Sequence, residues 1–200
     1  MVSSLPSGAG RRHRETPPRG GKRMPPGLGG GRHTVVTDVR TERLVLHPLT
    51  VAEAERVAAA EPTTADRWAA DYPTDGDRKD ARDLLELCAT AGDPTPFGGY
   101  EIRLRDDGTA IGGLCFHRPP DEHGAVTIGY GVVGSARGHG YATEALHALL
   151  AVARSAGART VRGDADHDNV ASQRVMHGAG MRHVRSDEKV RYYEITFPRQ

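Results

Sequence analysis

The run "VVGSARGHGYATEALHALLAV", Val132 to Val152, constrains this chain more than any other stretch. A β-branched end gives way to a basic, glycine-rich loop, and an amphipathic segment begins at once. Ala142, Ala145, Leu146, Leu149, Leu150 and Ala153 recur at helical spacing as one apolar stripe, and Gly157 supplies the stop. Gly138 and Gly140 stand just before the first turn. Glycines there leave backbone N–H groups unobstructed, and the earliest of these have no intrahelical partner. The helix dipole adds partial positive charge at the same end, so the loop suits a phosphate. Arg137 adds a fixed charge and a bidentate donor at the rim. A Walker loop requires Gly-Lys-Ser/Thr, and Tyr141, Ala142 and Thr143 stand there instead. A dinucleotide fingerprint requires a third glycine where Thr143 sits. Taken alone, the loop is equally explained as a tight strand-to-helix connection that holds nothing.

Around this element the chain reads as one α/β domain. Its 200 residues are enough to bury a real core. Residues 34–200 carry the periodic segments, whereas residues 1–33 contain "GLGGGR", Pro-Pro and almost no large apolar side chain. A segment of that make-up is expected to be disordered, since it buries too little to offset its ordering entropy. It also holds seven basic residues against Glu15 alone, which leaves twenty basic and twenty-five acidic residues in the remainder. Contact with a nucleic acid is one reading of that tail. No aromatic interleaves its charges, so a solvated extension is the expectation and a nucleic-acid partner is not.

"TVVTDVRTERLVLHPLT" reads as an opening strand. Thr50 and Glu53 form a capping box for a helix that Pro62 ends, and residues 77–92 form a second helix. Strands are expected over 99–106, 109–118 and 124–133, followed by the loop and its helix. Strand 159–166, a short helix with Asn169 as N-cap, and a closing strand pair complete the order. An antiparallel meander followed by a strand–helix–strand crossover makes a mixed, mostly antiparallel twisted sheet flanked by helices.

Two cysteines, Cys88 and Cys115, offer neither a metal quartet nor a disulfide framework, so no metal is expected. "DADHDN" at 164–169 resembles the start of a calcium loop, but Val175 occupies the position that needs a bidentate carboxylate. No apolar run is long enough to span a bilayer and the tail lacks a secretory core, so a cytoplasmic protein without membrane contact is expected.

The segment from Arg137 to Met181 resembles the acyl-CoA-binding core of the GNAT acyltransferase superfamily. Arg137-Gly138-His139-Gly140-Tyr141-Ala142 matches that family's pyrophosphate motif, Arg/Gln-x-x-Gly-x-Gly/Ala. "IGYGV", "GYATEAL", the Asn169-x-x-Ser172 pair and "GAGM" are similar to the branch of ribosomal-protein N-terminal acetyltransferases, as is "TERLVLHPLT". The likeness runs from residue 37 to 197.

The resemblance implies a sheet that splays open beyond Val133, with acetyl-CoA or another acyl-CoA in the gap. Backbone N–H groups from Gly138 through Thr143, with Arg137, would hold the pyrophosphate. Main chain from Tyr130 to Val133 would pair with the pantetheine arm, and Asn169 would bond to it. An N–H at Val132 or Val133 would polarise the thioester carbonyl. The reaction would be acyl transfer to a primary amine. Many relatives protonate the leaving thiolate from a tyrosine where Met176 stands here; Ser172, one turn earlier, is the expected substitute. Relatives also carry a basic Glu where Thr127 stands. Asp164, Asp166, His117 and Glu101 remain as candidate bases and none is assigned. Residues 61–76, with Trp68 and Tyr72, and the loop 119–123 are expected to line the acceptor cleft. The acceptor is a protein N-terminus or a small molecule, and a homodimer is compatible with the sequence. A non-catalytic CoA sensor is the alternative that the missing Tyr and Glu would fit.

Overall fold

The computed structural model describes residues 37–198, so the basic segment 1–33 lies outside the described residues. The opening apolar run divides in two rather than forming one strand. β1 (Val39–Arg40) and β2 (Leu44–Pro48) pair antiparallel, with Val39 opposite Leu46. Thr41 makes the reversal: its N–H donates to the Leu44 carbonyl at 2.9 Å and its hydroxyl accepts from the Leu44 N–H at 3.0 Å.

Helix α1 (Val51–Ala59) starts on the Thr50–Glu53 capping box as expected and ends at left-handed Ala60, ahead of Pro62. Helix α2 (Asp75–Ala91) starts two residues before the predicted 77. Thr74 accepts from the Asp77 N–H at 3.2 Å, and the Asp77 carboxylate takes the Thr74 N–H at 2.8 Å. This is a second capping box, hidden from the sequence reading by an aspartate in place of the usual Glu or Gln.

β3 (Gly99–Leu104), β4 (Ala110–Phe116) and β5 (Ala125–Val132) form the expected meander. A 3₁₀ turn (Gly134–Ala136) leads to α3 (Tyr141–Ser155), β6 (Thr160–Asp166), α4 (Val170–Gly178), β7 (Arg182–Ser186) and β8 (Val190–Thr196). The eight strands form one sheet in the order β1-β2-β3-β4-β5-β6-β8-β7. Only β5 and β6 run parallel, because a helix, α3, makes the crossover between them.

The sheet's two faces carry different helices. A Cβ added at Gly113 or Gly129 would meet Asp77 or Asp80 of α2, whereas one at Gly163 would meet Ile128 and Met176 of α4. Strand alternation therefore turns Gly129 and Gly131 toward α2, and Ile128, Tyr130 and Val132 toward α3 and α4. The core is continuous from Leu44 and Leu46, through Ile102 and Leu114, to Val161 and Met176.

The stripe read from the sequence is the buried face of α3: Ala145, Leu146, Leu149 and Ala153 are all 0% exposed. Burying one such leucine contributes about 1.5–3 kcal/mol. Leu149→Ala removes that contribution and leaves a cavity, so urea unfolding should show a loss of about 2–5 kcal/mol. A change below about 0.5 kcal/mol, the size of a surface substitution, would contradict the central place given to this helix.

Candidate functional site

The site begins where β5 and β6 separate. They pair in parallel only from Ala125 opposite Thr160 to Thr127 opposite Arg162. On its other side β5 stays paired with β4, with the His117 N–H on the Thr127 carbonyl and the Val133 N–H on the Ile111 carbonyl, both at 2.9 Å. Antiparallel pairs alternate between bonded and non-bonded. Residues 127, 129, 131 and 133 therefore bond to β4, while Tyr130 and Val132 turn their peptide groups toward the opening. The Arg137 Nε confirms the direction for Val132, donating to its carbonyl at 3.1 Å.

A cavity of about 620 Å³ lies in this opening. β5 supplies Tyr130, Gly131 and Val132; the loop and α3 supply Arg137, Gly138, Gly140, Tyr141, Ala142 and Thr143; α4 supplies Asn169, Ser172 and Arg174. Sequence elements 40 residues apart thus converge on one space. α1, α2 and α4 each start on a side-chain cap, Thr50, Thr74 and Asn169, but α3 has no side-chain cap. Gly140, with φ 79°, sits in the left-handed region as its N-cap, a conformation that favours glycine. The first N–H groups of α3 therefore open into a cavity whose lining holds two arginines and no carboxylate. A wider groove of about 1190 Å³ runs along the outer side of α3 against β1, but it draws nothing from β5 or α4.

Not every expected residue is in the lining. Val133 is 0% exposed and its N–H is taken by Ile111, so of the two N–H groups expected to serve a carbonyl only that of Val132 faces the opening. The His139 side chain is also outside the lining; its ring stacks on Tyr141 at 5.5 Å. Met176 is buried in the core against Gly163. Tyr72 is buried with its ring edge against Trp68 at 5.3 Å. Burial, with Glu101 beside it, pushes the Tyr72 hydroxyl well above the ordinary tyrosine value. The loop 119–123 cannot border this cavity: Asp121 accepts from the Ala125 N–H, at the end of β5 away from the opening. Of the candidate bases, Glu101 is buried and bonded to Arg103, while Asp164, Asp166 and His117 lie outside the lining.

Three contributions were not foreseen. The Tyr130 hydroxyl donates to the Ser172 carbonyl at 3.0 Å, and burial pushes it up to about 12. Strand alternation could have placed this ring on the cavity face. Arg174 stands three residues after Ala171 and so shares its face of α4, but nothing in the loop motif points to it. Arg43 carries no local signal at all. Its guanidinium reaches across to the His139 carbonyl at 2.9 Å, to Glu144 at 2.7 Å, and over the Tyr141 ring at 4.8 Å. Glu144 also accepts from the Thr41 hydroxyl at 2.6 Å and the Arg43 N–H at 2.9 Å. The β1–β2 turn thus clamps the start of α3 from outside the cavity.

Residues 43–182 match the family model for the acetyltransferase (GNAT) domain, and the chain belongs to that family. It is 33% identical over 86 residues to the uncharacterised N-acetyltransferase YjdG of Bacillus subtilis (strain 168), an alignment covering 42% of this chain and 51% of that protein. The match thus spans about half the length of that relative. Among solved structures, the fold is shared with RimL, a ribosomal L7/L12 α-N-protein acetyltransferase solved with coenzyme A. The TM-score is 0.57 at 17% identity, covering 80% of this chain and 98% of that one. It is shared equally with a ribosomal-protein alanine acetyltransferase from Vibrio fischeri, with a TM-score of 0.58 at 11% identity over 80% and 97% of the two chains.

The clamp has a pH signature. Burial alone would raise the Glu144 carboxyl, but hydrogen bonds from Thr41 and Arg43 outweigh it and hold the group below its ordinary 4.5. A depressed carboxyl stabilises the fold above its ordinary value, and that contribution fades as pH falls through the folded value. Glu144→Gln should therefore cost about 1 kcal/mol in urea unfolding at pH 7. The gap to the parent should narrow below the ordinary 4.5; a gap constant with pH would remove the clamp from the account.

Proposed function

We propose that the protein transfers an acyl group, in the first instance acetyl, from its coenzyme A thioester to a primary amine. The observation that carries this is the cavity at the uncapped start of α3, where Arg137 and Arg174 stand beside the outward-facing peptide groups of Tyr130 and Val132. A diphosphate suits unpartnered N–H groups, a helix dipole and two guanidiniums without an opposing carboxylate. The amides of a pantetheine arm suit a strand edge that has lost its neighbour. The solution of RimL with coenzyme A supports the same choice.

In this reading the Gly138 to Thr143 N–H groups hold the diphosphate, and Tyr130 and Val132 pair with the arm. The Asn169 Oδ1 is engaged by the Ser172 N–H at 3.1 Å, which leaves its amide N–H free to bond the arm. The amine attacks the thioester carbon, a C–N bond forms, and the C–S bond breaks. The Val132 N–H polarises the carbonyl. Ser172, which lines the cavity, donates a hydrogen bond to the departing thiolate. With no carboxylate or imidazole in the lining, the proton lost by the amine passes to water.

Calorimetric titration with acetyl-CoA should show one saturable site. Arg137→Ala should weaken it about 10-fold, the value of one charge-assisted hydrogen bond. Absence of saturable binding would overturn the proposal. Coenzyme A release measured over a panel of amines should fall roughly 100-fold in kcat for Ser172→Ala, with acetyl-CoA affinity kept. Binding without turnover on any amine would leave a CoA sensor instead.

A further inference from the structure

On the opposite face of the sheet from the acyl-CoA cavity, three potential metal ligands meet. Asp80 projects from α2, and Cys115 and His117 project from β4 and the residue after it. One ligand atom from each lies within 4.8 Å of the other two. Cys115 and His117 are two apart and so share a face of the strand. A single point identifies where they converge. The position a Cβ would take at Gly129 is 2.8 Å from the His117 Nε2, 3.4 Å from the Cys115 Sγ and 3.6 Å from an Asp80 carboxylate oxygen. Any other residue at 129 would fill that space; glycine leaves it open to all three ligands.

We infer that Asp80, Cys115 and His117 form a zinc site that staples α2 to β4 over Gly129. A thiolate, an imidazole and a carboxylate are a zinc donor set, and zinc bonds of about 2.0–2.3 Å set tetrahedral ligand atoms about 3.5 Å apart, so side chains whose ligand atoms lie within 4.8 Å close by roughly 1 Å to bind it. The thiol excludes magnesium and calcium as occupants, since these take oxygen ligands. Lys79, the neighbour of Asp80, does not occupy the space as a counter-charge: its ammonium is held by Asp83 at 2.6 Å. His117 also borders a cleft of about 280 Å³, from which a water completes the tetrahedron. Binding deprotonates Cys115, and zinc takes the place of that proton. Counting cysteines misses such a site because it contains only one.

The test uses the full chain, stripped of metal by a chelator and titrated with zinc and with cobalt. One equivalent of cobalt should give the near-ultraviolet thiolate-to-cobalt charge-transfer band. Cys115→Ser should abolish that band. His117→Gln, Asp80→Asn and Gly129→Ala should each weaken zinc at least about 10-fold, the loss that even an outer partner of a ligand produces. Zinc should raise the thermal midpoint of the parent and not of His117→Gln. Because His117 is on the surface, that variant keeps its fold, which circular dichroism checks. No thiolate band in the parent, or zinc uptake unchanged in Cys115→Ser and His117→Gln, would overturn the assignment and hand any bound metal to other histidines of the chain.

Discussion

The parting of β5 from β6 after Thr127 is the constraint on which the rest depends. A sheet that stayed closed would satisfy Tyr130 and Val132 internally and leave no slot. The two strands diverge because each keeps a better partner. β5 remains in register with β4 to Val132, and β6 remains in register with β8 from Thr160 to Asp166. Tyr130 fills part of the divergence and ties it to α4 through the Ser172 carbonyl. The gap is thus held open by structure on both sides, rather than being a defect in pairing.

A second dependency follows from the first. The helix that begins at the gap cannot cap its own start without obstructing it, and Gly140 provides no side chain to do so. Its position is fixed from behind. Glu144 stands in the first turn, where its charge is favourable to the dipole, but its oxygens are committed to Thr41 and Arg43. The carboxylate therefore anchors the helix without competing for the N–H groups that open into the cavity. Stability and binding use opposite sides of one helical turn.

Much of this was legible in the residues. The apolar stripe of α3, the glycine pair, and the Asn169 and Ser172 spacing carry local signals; the structure buries the stripe in the core and brings the glycines, Asn169 and Ser172 to one cavity, without the side chain of His139 or the buried Val133. What stayed hidden was non-local. Arg43 lies almost a hundred residues from the carbonyl it holds, and no periodicity announces such a contact. The loop 119–123, expected at the acceptor cleft, sits at the start of β5, away from the cavity, because length and polarity do not say which end of a strand faces an opening. The turn at Thr41 and the Thr74–Asp77 box were missed for a different reason: each uses a short polar side chain to satisfy backbone groups, and these leave a faint imprint on hydropathy. Cys115, His117 and Asp80 lie on two elements whose packing alone brings them together.

One further link joins the α1–α2 connection to the start of the glycine loop. The Asp71 carboxylate accepts from the Ser135 N–H at 2.9 Å and its hydroxyl at 2.7 Å. Trp68 and Ala69, in the same connection, dock on Ala110 at the start of β4. The segment between α1 and α2 is therefore fastened directly to the turn that precedes the glycine loop. A shift of that turn therefore drags on the segment that carries Trp68 and Tyr72, so the two are mechanically one piece.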